Sequence, residues 1–191
     1  MNRIGEYRGT LLNHVETLYR PGERALAIEL AEALGCVVTD TLFKGDGVDT
    51  FLAAHPNPED QDPQNNAFYM SQVRPEQLAV EERLRQFSKQ DGAFALQLEA
   101  YRQAARSKPF GVPHFALRYQ AGELVQQAEA RINDGLKQKL GDRLHLRVFY
   151  PEDVDAAVGT SIQGFLYQDV VVSGSFLMGQ IIELQAPPLR G

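Results

Sequence analysis

Two short segments, Leu11-Leu12-Asn13-His14-Val15-Glu16 and Gly111-Val112-Pro113-His114-Phe115-Ala116, decide the fold that this sequence predicts. Each sets one histidine among apolar residues, a pattern typical of a short strand. Each is followed by a stretch with apolar residues at helical spacing. The chain has only 4 histidines, and two of them stand at matching points of similar segments. This placement indicates an internal duplication.

The first half predicts the order strand, helix, strand, strand, strand. Its helix covers 25–34, where apolar residues recur at helical spacing, and it ends at Gly35, a residue suited to a left-handed helix terminus. β-Branched and aromatic residues then predict three strands, with a turn and a polar loop between them. The predicted strands are 36–41, 49–54 and 67–73, the turn is 44–47 and the loop is 56–66.

The second half repeats this order. The histidine strand runs to Tyr119, and a helix follows that ends at Gly141. Apolar residues four apart predict its buried face: Leu124, Ala128, Ile132, Leu136 and Leu140. Three strands come next, the last two joined as a hairpin through 173–175. They are predicted at 144–150, 162–173 and 176–186.

Between the halves, 75–87 and 93–106 are charged stretches that predict helices, and 108–111 reads as a linker. The chain therefore divides into residues 1–74, an inserted helical segment 75–110 and residues 111–191, which together form one structural unit. The predicted fold class is α+β.

Composition restricts the class of protein. The 191 residues are 43% hydrophobic and 23% charged, which is ordinary for a globular chain. A net charge of -6 and a pI of about 5.2 argue against a nucleic-acid partner. No apolar run approaches the roughly 20 residues that span a bilayer, and the N-terminus lacks the apolar core of a secretory signal. The single cysteine, Cys36, fits a reducing compartment, so a cytoplasmic location is expected.

The order βαβββ-βαβββ, with a histidine in both first strands, resembles the vicinal oxygen chelate superfamily. That superfamily contains glyoxalases, extradiol ring-cleaving dioxygenases, fosfomycin-resistance enzymes and bleomycin-binding proteins. The resemblance covers about 10–73 and 112–186 and leaves the middle helices as an insertion. It implies two βαβββ modules that pair into a curved mixed-sheet cup, with one divalent metal ion at its floor.

The resemblance also implies the ligands of that ion, which are His14, His114 and Glu183 in this sequence. Two imidazoles and one carboxylate are the ligand set of non-heme Fe(II) oxygenases, so Fe(II) is favoured, and Mn, Ni or Zn also suit the set. Glu183 stands between Ile182 and Leu184. A carboxylate in such an apolar run needs a charge partner or a metal.

Several functions stay open at this stage. Aligning the last strands of the halves sets Met70 opposite Glu183, with Gln72 two residues on. The resemblance implies that a glyoxalase-type site has a fourth ligand at the position of Met70, and a thioether is a poor ligand. A three-ligand oxygenase acting on a small vicinal-oxygen substrate is therefore favoured over a glyoxalase-type lyase or isomerase. A metal-free drug- or metabolite-binding protein, such as the bleomycin-binding proteins, is the rival from another class. Function in the inserted helices is a third possibility, a homodimer is compatible with each reading, and the catalytic acid or base is left unassigned.

Overall fold

The protein is built from two four-stranded mixed sheets with helices, as the α+β prediction expects. The computed structural model describes residues 13–41, 51–62, 66–107, 109–154, 156 and 159–189. The predicted strand residues Leu11 and Leu12, the turn 44–47 and the start of the predicted strand at 49–50 lie outside the described residues.

The first sheet has the strand order β1-β4-β3-β2. Strands β1 and β4 are parallel, and the other two pairings are antiparallel. Helix α1 follows β1 and ends where Gly35 adopts φ +91°, the left-handed conformation that glycine takes without a steric penalty. The elements are β1 (His14–Tyr19), α1 (Arg24–Ala33), β2 (Val37–Thr41), β3 (Phe51–His55) and β4 (Ala67–Gln72).

The second sheet has the corresponding strand order, β5-β8-β7-β6, again with its first and last strands parallel. Helices α2 (Pro75–Gln90) and α3 (Gly92–Ser107) lie between the two sheets in the chain, close to the predicted ranges. The remaining elements are β5 (His114–Arg118), α4 (Gly122–Arg131), α5 (Lys137–Leu140), β6 (Leu144–Phe149), β7 (Ile162–Gln168) and β8 (Gln180–Ala186).

The helical segment after β5 contains a π-helical turn, Ile132–Leu136, between α4 and α5. Residues four apart drift around an ordinary helix of about 3.6 residues per turn. The wider π turn compensates for this drift. The predicted stripe is therefore confirmed for its last four members, all of them buried, but Leu124 is 40% exposed and Val125 is buried instead.

The predicted hairpin at 173–175 is wrong. Strand β7 ends at Gln168, β8 begins at Gln180, and the connection between them is not a tight turn. The Gln168 side chain is the physical reason, because its Oε1 accepts hydrogen bonds from the backbone N–H groups of Val170 and Val171. The chain is thereby turned away, and Val172 pairs with Leu18 of β1 in the other sheet.

One buried apolar cluster joins the two halves. It combines α1 and the α4–α5 segment with one face of each sheet. Phe68 of β4 and Phe115 of β5 contact each other across the halves, with ring centroids 5.7 Å apart. The opposite face of the second sheet is covered in part by α3, whose Ala105 packs with Phe165 and Tyr167. Within the described residues, no helix has both the length and the apolar character needed to cross a membrane.

Candidate metal centre

His114 and Glu183 are brought together by the pairing of β5 with β8. In this parallel register His114 lies opposite Ile181, and Ala116 lies opposite Glu183. Residues two apart on a strand share a face, so the two side chains are diagonal neighbours on the face turned away from the main core. His114 Nε2 is 3.1 Å from Glu183 Oε2. His114 thus lies where the sequence predicts a charge partner or a metal for Glu183.

Each member of the pair is oriented by a second contact. His114 Nδ1 is 2.7 Å from the backbone oxygen of Val112, and Gln163 Nε2 donates to Glu183 Oε1 at 2.8 Å. Phe165 packs edge-on against the imidazole at a centroid distance of 6.2 Å. Glu183 is only 7% exposed, so its negative charge is poorly screened by water.

These contacts set the protonation pattern of the imidazole. A carbonyl oxygen only accepts hydrogen bonds, so Nδ1 of His114 must carry a proton. In the neutral ring Nε2 is then an acceptor, and it faces a carboxylate oxygen, which also only accepts. Two facing acceptors at 3.1 Å require a proton on one of the two groups or a metal ion between them.

The donor set of this pair fits a metal ion. Two ligand atoms about 2.1 Å from one ion and at a right angle to each other are about 3.0 Å apart, close to the observed separation. Ligating histidines commonly donate their other N–H to a backbone carbonyl, and ligating carboxylates are commonly hydrogen-bonded in turn. Val112 and Gln163 supply these two supports.

His14, the third predicted ligand, begins β1 as His114 begins β5. Its ring stacks on Tyr69 with centroids 4.2 Å apart and planes at 18°, and its Nδ1 is 2.7 Å from Asn13 Oδ1. Strand alternation points it away from the core. Over the part of the chain that the structure describes, no three His, Cys, Asp or Glu side chains form a group able to hold a metal ion. His14 thus stands apart from the His114–Glu183 pair.

Tyr69, not Met70 or Gln72, stands in the first sheet where Glu183 stands in the second. Glu16, two residues after His14, is paired with Tyr69, just as Ala116, two residues after His114, is paired with Glu183. The sequence alignment that sets Met70 opposite the acid is therefore wrong by one residue. Because strand side chains alternate, Met70 lies on the opposite face, where it is fully buried in the core, and Gln72 shares its parity.

The Tyr69 phenol is a neutral group at this position. Burial raises its pKa above the ordinary value, and the negative charges of Glu16 and Asp62 raise it further. A phenol that holds its proton does not act as an anionic ligand.

Sequence reasoning missed Gln163, and it missed that Tyr69 is the counterpart of Glu183. Gln163 is 5% exposed within a strand that is buried throughout. The sequence signal that could have identified it is an amide side chain among Ile162, Gly164 and Phe165. Tyr69 can be recognised as the counterpart of Glu183 only when the two halves are aligned by the residues that pair with the strands of His14 and His114.

Comparison of the chain with protein-family models, with curated proteins and with solved structures finds no match.

Proposed function

We propose that this protein is a metal-dependent enzyme of the vicinal oxygen chelate type, and that it binds one divalent ion, Fe(II) being favoured. In this proposal the halves are βαβββ modules that pair as a cup. His114 and Glu183 hold the ion, and His14 is the third ligand. The corresponding strand orders of the two sheets support the modules. The observation that supports the metal site is the close approach of His114 Nε2 to Glu183 Oε2.

Tyr69 supports a three-ligand site over a four-ligand one. The glyoxalase-type arrangement needs a ligand at this place, and a neutral phenol is a weak candidate. Two histidines and one carboxylate leave positions open for a substrate with two neighbouring oxygens or for O2. An oxygenase acting on a small vicinal-oxygen compound is therefore proposed before a glyoxalase-type lyase or isomerase.

The surrounding residues have definable tasks in this proposal. When bound, the ion supplies Lewis acidity and, as iron, the ability to activate O2. Val112 fixes the His114 tautomer and leaves Nε2 directed towards Glu183. Gln163 holds the carboxylate in place. Phe165, packed edge-on against both Phe110 and His114, supplies apolar surface that excludes water from one side of the pair.

A metal-free reading also has support, because a second proton on His114 equally satisfies the facing acceptors. The pair would then be a structural ion pair in a drug- or metabolite-binding protein. Removing one partner of such a pair leaves the other charge buried and unpaired. The two readings therefore differ in what E183Q does to the metal-free protein and in whether the wild type takes up metal.

The decisive experiment is anaerobic titration of the metal-free protein with Fe(II), followed by calorimetry and by metal analysis after desalting. The wild type should bind about one ion per chain. E183Q and H114A should weaken Fe(II) binding by at least about a hundredfold, since loss of even an outer-shell partner costs about ten- to a hundredfold. H145Q is the matched control, because His145 lies on the same sheet in β6, paired with Tyr167 and outside the proposed ligand set.

H14A separates the third ligand from the pair. A loss of affinity matching that of H114A would support three ligands, whereas wild-type affinity would remove His14 from the site. If the wild type binds neither Fe(II), Mn(II), Ni(II) nor Zn(II) at a stoichiometric site, the enzyme proposal fails. A large loss of stability in metal-free E183Q would then identify the pair as an ion pair.

A further inference from the structure

A ten-residue pattern, His-x4-Tyr-x2-Gly-Glu, occurs in both halves, at 14–23 and 114–123. It covers the first strand of each sheet and the turn into the following helix. Equivalent positions in the two halves can therefore be compared directly. The end of each first strand lies near the other half: Leu18 pairs with Val172, and Tyr119 donates its hydroxyl to the carbonyl of Leu34 at 2.7 Å.

At one of these two junctions, four charged side chains fill the space. Arg20 and Glu23 from the first half meet Arg143 and Asp169 from the second. Arg143 bridges both acids, with Nε 2.7 Å from Asp169 Oδ1 and Nη1 2.8 Å from Glu23 Oε1. Two positive and two negative charges balance there.

At the equivalent junction three of these charged groups are replaced by uncharged ones. Gln120 stands in the place of Arg20. Pro56 follows β3 as Asp169 follows β7. Arg143 lies in a short 3₁₀ turn before β6. At the corresponding place in the first half, only Cys36 lies between Gly35 and β2, so an uncharged residue replaces Arg143. The result is an open cavity of about 510 Å³ lined by residues of both halves, a volume usual for small-molecule sites.

The lining of this cavity combines apolar residues with two basic ones. Leu34, Leu117 and Leu124 are its leucines, and Arg118 and Arg131 are its arginines. Among the described residues neither arginine forms an ion pair. Arg131 is anchored, because its Nε donates to the carbonyl of Ala33 at 2.9 Å.

The other polar groups of the lining do not cancel that charge. Burial raises the pKa of the Cys36 thiol to about 12, so Cys36 is uncharged at neutral pH. Burial also raises the pKa of Tyr119, whose hydroxyl is already used by Leu34. Among the described residues of the lining Glu59 is the only acid, and it is exposed.

We propose that this cavity binds a small organic anion with an apolar body, such as an aromatic carboxylate or sulfonate. In this proposal the two arginines bind the anionic group of the ligand, and the leucines contact its apolar body. At the opposite junction the arginines are instead paired with acidic side chains. The site lies at the end of β5 and is independent of the His114–Glu183 centre, so it does not rest on the proposed enzyme activity.

The probe is 8-anilinonaphthalene-1-sulfonate, an aromatic anion whose fluorescence rises in apolar surroundings. Wild-type protein should bind it saturably, with about one molecule per chain. R118Q should weaken binding at least about fivefold, because one of two charge-assisted contacts is lost. L124W should abolish it by filling the cavity, and since Leu124 is already 40% exposed the variant should fold.

A competing surface is tested with L84Q. Leu84 lies with Val80 and Phe87 on an exposed apolar stripe of α2, a place where this dye would also adsorb. Wild-type binding by L84Q, with losses in R118Q and L124W, supports the cavity. Binding that is absent from the wild type, or that is lost in L84Q and unchanged in R118Q and L124W, overturns it. Competition by benzoate with the dye then tests the carboxylate class, and failure of benzoate to compete restricts the site to sulfonates.

Discussion

His55 is a histidine with no exposed surface. Its Nε2 lies 3.0 Å from the Thr39 hydroxyl, and within the described residues its Nδ1 has no hydrogen-bond partner. Burial lowers the pKa of His55 below the ordinary histidine value, against the opposing effect of Asp60 and Asp62. Burial also lowers the pKa of His145, and the positive charges of Lys137, Arg106 and Arg147 lower it further.

Both imidazoles should therefore be neutral in the folded protein at neutral pH. Because their folded-state pKa values lie below the unfolded value of about 6.5, the unfolded chain takes up protons first as the pH falls. Their contribution to stability is complete above about pH 6.5 and is lost as the pH falls through the folded pKa. NMR titration of the ring Cε1–H signals, assigned with H145Q, H14Q and H114Q, should give midpoints below 6.5 for His55 and His145. A midpoint at or above 6.5 for either residue contradicts this expectation.

At the residue scale, the chemistry of Glu183 was predictable and its geometry was not. An acid inside an apolar strand needs a charge partner or a metal, which the sequence alone implies, and His114 is the side chain that lies against it. The identity of Tyr69 as its counterpart depends on register, and one residue of slip moves a side chain to the other sheet face. The sequence alignment therefore set Met70 opposite the acid although it lies in the core.

The β7–β8 connection, from Asp169 to Gly179, is held by both inserted helices. Glu81 of α2, buried at 5% exposure, accepts hydrogen bonds from the Leu177 N–H and the Ser175 hydroxyl. Arg102 of α3 donates to the Leu177 carbonyl from two of its nitrogens. The insertion thus has a structural task in addition to any other, since it fixes the segment that leads into the strand of Glu183.

Gly179 sets the end of this connection. It adopts φ +76°, and an added Cβ would lie 2.6 Å from the Tyr167 ring. G179A should therefore destabilise the protein by about 1–3 kcal/mol through backbone strain and the clash with the ring. Urea unfolding measures this change in the free energy of unfolding. G174A is the matched control, because a Cβ at Gly174 meets nothing within 4 Å. Equal stability of the two variants would contradict the assigned role of Gly179.

At the element scale, helices and most strands follow from local patterns, whereas the connection does not. The ranges of α2 and α3 follow from helical spacing and charge, and the stripe Ala128, Ile132, Leu136 and Leu140 predicts a buried face. The end of β7 is set by two interactions. The Gln168 side chain accepts hydrogen bonds from the backbone of the turn that follows it, and Val172 pairs with Leu18 of β1, which is distant in sequence. Neither interaction leaves a periodic signal in the chain.

For the whole molecule, the halves are joined by the common apolar cluster and, at one junction, by the Arg20–Glu23–Arg143–Asp169 group. The two histidine segments predict a duplication, and the two sheets have corresponding strand orders. The difference between the two junctions could not be predicted, because it depends on which residues the turns after β3 and β7 contain and on where the packing of the halves places them.

Arg143 pairs with both acids, as Arg20 also does, and its contact with Glu23 crosses between the halves. R143Q should therefore weaken the association of the halves. The side chain is 37% exposed, and water screens part of the loss, so a destabilisation of about 1–3 kcal/mol is expected. R24Q is the matched control, because the Arg24–Asp40 pair is exposed on both sides and such pairs contribute about 0–1 kcal/mol. Urea unfolding of both variants at low and at high salt measures the difference. R143Q should lose more stability than R24Q, and its loss should persist in high salt because the charges are partly buried. If the two variants unfold at the same urea concentration, the charged junction does not hold the halves together, and the apolar cluster alone joins them.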